Sequence, residues 1–303
     1  MYIFMKCLSW IVCHLPRGCC RTLGTFFGSF FWTFVPKKRK VLAQQQILDC
    51  GITDDPKKAM AIAKASTLRF GPMIIEVLRY PVYTKESLDE KVDFKGREHL
   101  EALKASGDGA IIMASHSGNW ELLGAVLAMN GYPLISVAQE QSHGADKFIN
   151  EYRAMMKQHV TYKTGIRDMV RLLRDGHYIG LLMDQDPGYT GIMVKFFGRD
   201  TLTADGPAKM AGLGNYPIVP IFIREDRPYH HVIDVQPPLR PYTADHKLSK
   251  EEKEQVMYKT TQELNDRLEA HIRQYPEDWF WLHNRWKWTK RYKEKQAEKE
   301  AAQ

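Results

Sequence analysis

Little in this sequence equips it for redox or metal chemistry. Its five cysteines, Cys7, Cys13, Cys19, Cys20 and Cys50, all fall within the first fifty of 303 residues. None has a downstream Cys or His at zinc-finger spacing, so a disulfide scaffold, a structural zinc site and a cysteine nucleophile are not expected. His143, His159 and His177 also lack metal-ligand spacing. Acidic residues are absent from the first 36 positions. The longest uncharged stretch there, 22–36, would reach only ~22 Å as a helix at ~1.5 Å per residue, short of a ~30 Å hydrocarbon core. No small-x-small cleavage site precedes the basic block Lys37, Lys38, Arg39, Lys40, which argues against a removable signal peptide. There is no internal repeat.

What is present describes a globular chain. Hydrophobic residues make up 44%, charged residues 26%, and the mean hydropathy is −0.41, which excludes a polytopic membrane protein and a disordered chain. Lys and Arg number 43 against 36 Asp and Glu, a net charge of +7. That excess favours an anionic partner such as an anionic membrane, a phosphorylated substrate or nucleic acid, without choosing among them.

The composition divides the chain into four stretches. Residues 1–40 form an apolar, aromatic segment with a basic flank, expected to anchor the protein to anionic phospholipids as a helical interfacial hairpin or amphipathic anchor, or as one tilted span. Residues 41–95 show helical apolar spacing, with Asp54, Asp55 and Pro56 starting a helix over 57–80. Residues 96–290 alternate short apolar runs with amphipathic segments. Strands are expected at 110–114, 133–138, 178–183, 193–197, 218–224 and 231–235, and helices at 120–129, 145–159, 167–174, 207–213 and 251–274. This alternation predicts an α/β fold with a mostly parallel central sheet flanked by helices, behind an apolar helical N-terminal membrane anchor. Residues 291–303 form a charged tail expected to fray.

One stretch carries chemistry. The apolar run Ala110–Ala114 leads into Ser115, His116, Ser117, Gly118 and Asn119, and Asn119 is a natural N-cap for a helix that holds Glu121. His116 then lies at the carboxyl end of a strand, the edge where open α/β sheets bind ligands. Glu121, in the first helical turn, can fold back to the imidazole. A carboxylate on one ring nitrogen would set the tautomer and leave the other to take a proton from a hydroxyl, a contribution of ~100- to 10,000-fold in rate. Alternatively, Glu121 merely complements the helix dipole. A second polar pair, Asp184 and Asp186, follows the run 178–183, and Asp186-Pro187-Gly188 also suits a turn.

The run from His116 to Glu121 resembles the H-x4-D/E motif of the lysophospholipid acyltransferase superfamily, and more closely its bacterial lipid A biosynthesis acyltransferase branch. The resemblance continues in Asp184-Gln185-Asp186, Val194-Lys195-Phe196-Phe197-Gly198, Gly206-Pro207-Ala208 and Trp281 to Lys287, in order along most of the chain. It implies a membrane-associated enzyme of the cytoplasmic face of the inner membrane. Such an enzyme moves a fatty acyl group from acyl carrier protein or coenzyme A to a hydroxyl of a lipid A precursor or another lipid acceptor, with no cofactor beyond the acyl thioester and no metal. His116 would be the base and Glu121 its orienting carboxylate. The oxyanion would be met near Ser117, Gly118 and Asn119, and Arg153 would hold the anionic acceptor. Asp184, Asp186, Phe197 and Gly198 would line the substrate site, although Phe197 and Gly198 equally suit core packing. The tryptophans 279, 281, 286 and 288 among basic residues could stack single-stranded nucleic acid, but no RNA-binding motif accompanies them. A membrane-interface belt or packing at the domain edge is expected instead, with no nucleic-acid partner. A non-catalytic lipid-binding protein and a metal-dependent hydrolase built on His116, Asp184 and Asp186 are the competing classes.

Overall fold

The computed structural model describes residues 1–138, 143–162, 165–241 and 248–301. The chain begins with α1 (Tyr2–His14), α2 (Arg17–Phe34), α3 (Lys37–Asp49), α4 (Pro56–Leu68), α5 (Phe70–Leu78) and the short α6 (Lys85–Asp89). Pro16 and Pro36 stand just before α2 and α3, where a fixed φ and a missing N–H end one helix and start the next. The single helix expected over 57–80 is two helices and a 3-10 turn, because Pro72 has no N–H to give the Leu68 carbonyl. None of the described helices is long and apolar enough to cross a membrane.

From residue 92 the elements alternate: β1 (Val92–Lys95), α7 (Arg97–Ser106), β2 (Ala110–Ala114), α8 (Trp120–Met129), β3 (Leu134–Val137), α9 (His143–Met155), β4 (His159–Thr161), α10 (Ile166–Arg174) and β5 (Tyr178–Leu182). There follow β6 (Ile192–Phe196), β7 (Arg199–Thr203), α11 (Gly206–Gly212), β8 (Ile218–Arg227), β9 (His230–Val235), α12 (Lys250–Gln274) and α13 (Lys287–Ala301). Seven strands make one sheet in the order β1-β9-β8-β2-β5-β3-β4, and β6 and β7 form a separate hairpin. β8, β2, β5, β3 and β4 run parallel, and β9 with β1 runs the other way.

β2 sits in the middle and is buried along its whole length. Its alternation divides two cores, as a strand covered on both faces must. Ala110, Ile112 and Ala114 pack with Val219, Ile221 and Ile223 of β8 beneath α5 and α8. Ile111 and Met113 pack with Phe222 beneath α12 and the tryptophans 279, 281 and 286. The structure is therefore the expected α/β fold, with a mostly parallel sheet flanked by helices.

Besides the broken 57–80 helix, α7 and β7 form where neither helix nor strand was expected, and three further elements differ. β1 lies inside the stretch read as helical, as an edge strand paired only with β9. β4 interrupts the end of the helix expected to run to 159, because Lys157 takes a left-handed conformation (φ 56°) that ends α9. The charged tail is the helix α13, whose start is tied down when Asp186 Oδ2 accepts from the Trp288 N–H at 2.7 Å.

Candidate active site

β2 and β5 pair in parallel with Ala114 opposite Leu182. The residues two places beyond each end, His116 and Asp184, therefore emerge level at the carboxyl edge of the sheet. Asp184 Oδ1 accepts from His116 Nδ1 at 2.9 Å. Its Oδ2 accepts from the His116 backbone N–H at 3.0 Å and from the Trp279 indole N–H at 2.8 Å. Asp184 is only 1% exposed, so these three donors are what its charge has in place of water. An ionised carboxylate only accepts, so Nδ1 carries the proton and Nε2 presents a lone pair. Nε2 has no hydrogen-bond partner among the described residues.

Burial works to lower the His116 pKa, but the charge and hydrogen bond of Asp184, with a further contribution from the Glu121 charge, leave it raised above 6.5. Burial works to raise Asp184, and His116 and Trp279 together hold it below the ordinary carboxylate value. The Trp120 ring stands edge-on to the imidazole, 5.0 Å between centroids. An imidazole with a fixed tautomer, a raised pKa and an open nitrogen is suited to taking a proton from a hydroxyl.

The carboxylate that grips His116 is thus Asp184. Glu121 faces Arg153 of α9 instead: Arg153 Nε donates to Oε2 at 2.9 Å and Nη2 to Oε1 at 2.6 Å. Glu121 acts on His116 through its charge, and Arg153 is held bidentately at the same edge.

The residues between them are engaged in building the loop. Gly118 takes φ +59°, and a Cβ there would lie 2.0 Å from the Ile223 carbonyl oxygen, so only glycine fits. Its N–H donates to the Asp278 carbonyl at 3.1 Å, and the Ser117 hydroxyl pairs with Ser115 at 3.0 Å. Asn119 caps α8 by accepting from the Leu122 N–H at 3.0 Å, and its amide donates to buried Glu76 at 2.9 Å. Glu76 in turn pairs with buried His231 at 2.9 Å.

Asp186, Phe197 and Gly198 are placed elsewhere. Asp186 divides its carboxylate between the Gly188 N–H (3.0 Å) and the start of α13, as its turn sequence allows. Phe197 (φ 52°) and Gly198 (φ 69°) are the two-residue turn between β6 and β7, with the positive φ pair of a type I′ turn. Phe197 is buried against Trp281 and beneath the Arg273 guanidinium, so its side chain is core, whereas Gly198 is exposed at the turn.

Three partners of the site were given no role there by the sequence. Trp279 donates to Asp184, and its ring is backed edge-on by Phe196 at 5.9 Å. Glu76 anchors the cap of α8. His283 accepts from the Asp186 N–H through Nε2 at 3.1 Å. Trp279 lay within a visible aromatic cluster, whereas Glu76, 40 residues before His116, carried no local signal.

The profile of the bacterial lipid A biosynthesis acyltransferase family matches residues 2–288. A phosphatidylinositol mannoside acyltransferase of Mycolicibacterium smegmatis is 28% identical over 74% of this chain and 72% of its own length. A lipid A biosynthesis acyltransferase of Haemophilus influenzae is 25% identical over 66% of this chain and 61% of its own. Among solved structures, the 1-acyl-sn-glycerophosphate acyltransferase of Thermotoga maritima covers 84% of this chain and 98% of its own at 13% identity, with a TM-score of 0.34. So loose a superposition adds nothing to the assignment. The match along almost the whole chain, with His116 on the carboxyl edge of the sheet, places the protein: it belongs to the bacterial lipid A biosynthesis acyltransferase family and is an acyltransferase.

Proposed function

We propose that the protein moves a fatty acyl group from a thioester, on acyl carrier protein or coenzyme A, to a hydroxyl of an anionic glycolipid, with a lipid A precursor as the first acceptor. The observation that carries this is the His116–Asp184 pair with Nε2 open. His116 Nε2 takes the hydroxyl proton as the acceptor oxygen bonds to the thioester carbonyl carbon. The carbon–sulfur bond then breaks, and the thiolate takes the proton back from Nε2. Asp184 stabilises the imidazolium formed between the two steps. The oxyanion is met at the start of α8, where the Trp120 and Glu121 N–H groups are free of partners among the described residues. The thioester supplies an activated acyl group, so neither metal nor prosthetic group is required.

Arg153 stands at this edge with Nε and Nη2 given to Glu121 and Nη1 to Asn150, so it would meet an acceptor's phosphate by exchanging the Glu121 carboxylate for it. A phosphatidylinositol mannoside is the second acceptor to consider, because relatives of that name are the more similar, at 28% identity against 25%.

The protein works at a membrane surface in this reading. α2 lies against α5 through a glycine seam in which a Cβ on Gly71 would fall 1.9 Å from the Gly24 carbonyl oxygen. That close contact turns Phe26, Phe30 and Phe34 outward, and Ile3, Phe4 and Trp10 of α1 are exposed as well. Exposed aromatics beside Lys37, Lys38, Arg39 and Lys40 suit an anionic bilayer surface. The basic run also favours the cytoplasmic face of the inner membrane.

The test presents membrane-bound protein with a labelled acyl thioester and three acceptors: a lipid A precursor, a phosphatidylinositol mannoside and a lysophospholipid. Product mass is the readout. Addition of one acyl chain to either glycolipid is expected. Transfer to the lysophospholipid alone would discard the glycolipid acceptor, and binding of lipid without transfer to any acceptor would discard the reaction.

A further inference from the structure

The His116 loop is held from behind by the residues that close the 3-10 turn Pro276–Asp278. Ser117 and Trp279 form a single antiparallel bridge. The Asp278 carbonyl accepts from the Gly118 N–H at 3.1 Å, and the Trp279 indole donates to Asp184 Oδ2 at 2.8 Å. Asp278 and Trp279 thus touch both halves of the catalytic pair, the loop that carries His116 and the carboxylate that fixes its tautomer. With one bridge and no ladder beyond it, this strip of chain needs another hold.

That hold is Arg69. Its Nη1 donates to the Glu277 carbonyl at 3.0 Å and pairs with the Asp278 carboxylate, the two side chains being 22% and 12% exposed. Burial raises the Asp278 pKa, and Arg69 is the leading charge that opposes it, so neither member of the pair is spared without cost to the other. Arg69 itself has a fixed base. It stands where α4 ends and α5 begins, and the backbone on each side of it is pressed onto α2: a Cβ on Gly28 would lie 2.1 Å from the Leu68 carbonyl oxygen, and one on Gly71 1.9 Å from the Gly24 carbonyl oxygen. The next residue, Phe70, packs edge-on against Trp120 at 5.6 Å and Phe280 at 5.0 Å, and Trp120 packs in turn against His116. The junction of α4 and α5 therefore reaches the imidazole by two routes, one through hydrogen bonds and one through rings.

We propose that Arg69 is a positioning residue for acyl transfer: it holds Asp278 and Trp279 where they keep His116 and Asp184 in register. The proposal rests on the reading of that pair as the general base. Arg69 hydrogen-bonds the strip and not the pair itself. Without it the strip shifts, and a displacement of ~1 Å in a catalytic group costs up to ~100-fold in rate, because Nε2 no longer meets the acceptor hydroxyl in line. The surfaces that bind the substrates stay as they are, so the loss falls on kcat and not on KM.

The experiment measures kcat and KM of the full-length protein with the thioester and acceptor that the wild type uses. It compares wild type, Arg69→Met, Arg69→Lys, Trp279→Phe and the double variant of Arg69→Met with Trp279→Phe, each shown to be folded at the assay temperature. Arg69→Met should lose about 10- to 100-fold in kcat, with KM for both substrates within about twofold of wild type. Arg69→Lys keeps the charge against Asp278 but lacks the fork that also serves the Glu277 carbonyl; its kcat should fall between the two, and it carries the test alone if Arg69→Met does not fold. The pairing with Trp279→Phe separates positioning from general loosening: if Arg69 works through Trp279, the loss in the double variant is well below the product of the two single losses. Losses that multiply, a folded Arg69 variant with wild-type kcat, or a loss confined to KM would overturn the proposal. A wild type that transfers no acyl group, or His116→Ala as active as wild type, would instead refute the general-base reading on which it rests.

Discussion

Asp184→Asn changes one atom of the site and tests how His116 is held. The carboxylate divides its work unequally: Oδ2 takes the His116 backbone N–H and the Trp279 indole, and Oδ1 takes Nδ1 alone. An asparagine serves both fixed donors only by turning its oxygen toward them, which points its NH2 group at Nδ1. The imidazole must then accept at Nδ1 and carry its proton on Nε2, where it can no longer act as a base. The opposite turn keeps Nδ1–H bonded but leaves two buried donors facing an NH2 group, at ~1–3 kcal/mol each. Loss of the correct tautomer in a comparable His–carboxylate pair costs ~10,000-fold. A fall in kcat/KM of about 1,000- to 10,000-fold is therefore expected, with little change in melting temperature. Glu121→Gln keeps one hydrogen bond to Arg153 and removes only a charge near His116, so its loss should stay within about tenfold, or ~1.4 kcal/mol. The pH profile gives a second readout. A base must be neutral, and the folded His116 pKa lies above 6.5, so the acid limb of wild-type kcat/KM should lie above pH 6.5. Without the Asp184 charge, burial prevails and the residual activity of the variant should have its acid limb below that. The reasoning fails if Asp184→Asn stays within tenfold of wild type, or if Glu121→Gln is the more damaging change.

Gly118→Ala places a Cβ 2.0 Å from the Ile223 carbonyl oxygen at a residue with φ +59°, and should destabilise the fold by roughly 3 kcal/mol or more in urea unfolding; a loss under 1 kcal/mol would contradict the close approach. His271, stacked on Phe222 at 4.5 Å, has its pKa pushed down to about 3 by burial and by the nearby Arg224 and Arg69 charges. It stays neutral while the unfolded chain takes up a proton below about pH 6.5, so stability present above that value is lost as pH falls toward 3. Unfolding at pH 7 and at pH 4 should differ by about 3 kcal/mol more in wild type than in His271→Phe, and equal pH dependence in both would refute the assignment. Phe30→Ser with Phe34→Ser should weaken co-sedimentation with anionic phosphatidylglycerol vesicles at least about tenfold, and unchanged binding would remove α2 from the membrane surface.

The strands that the sequence displayed best are those buried on both faces. Ala110–Ala114 was visible because five apolar residues in a row need cover above and below. The edge strands β1 and β4 were not, since four and three residues with half their side chains in solvent carry no such pattern. His116 was legible from its place between an apolar strand and a helix cap. Its partner was not, because Glu121 offered a carboxylate five residues on, whereas Asp184 lies 68 residues away and was read only as lining the substrate site. Only the parallel register that sets Ala114 against Leu182 decides between them, and register is a tertiary property. Phe197-Gly198 misled for a related reason: a bulky residue at positive φ in a tight turn gives no sign of itself in the chain.

The most direct measurement is the mass of the product formed from a labelled acyl thioester and a glycolipid acceptor by wild type and by His116→Ala, with both proteins shown to be folded. The account predicts one added acyl chain from wild type and none above background from His116→Ala. Equal transfer by the two proteins would contradict it, because the proton would then leave the acceptor hydroxyl by a route that does not involve His116.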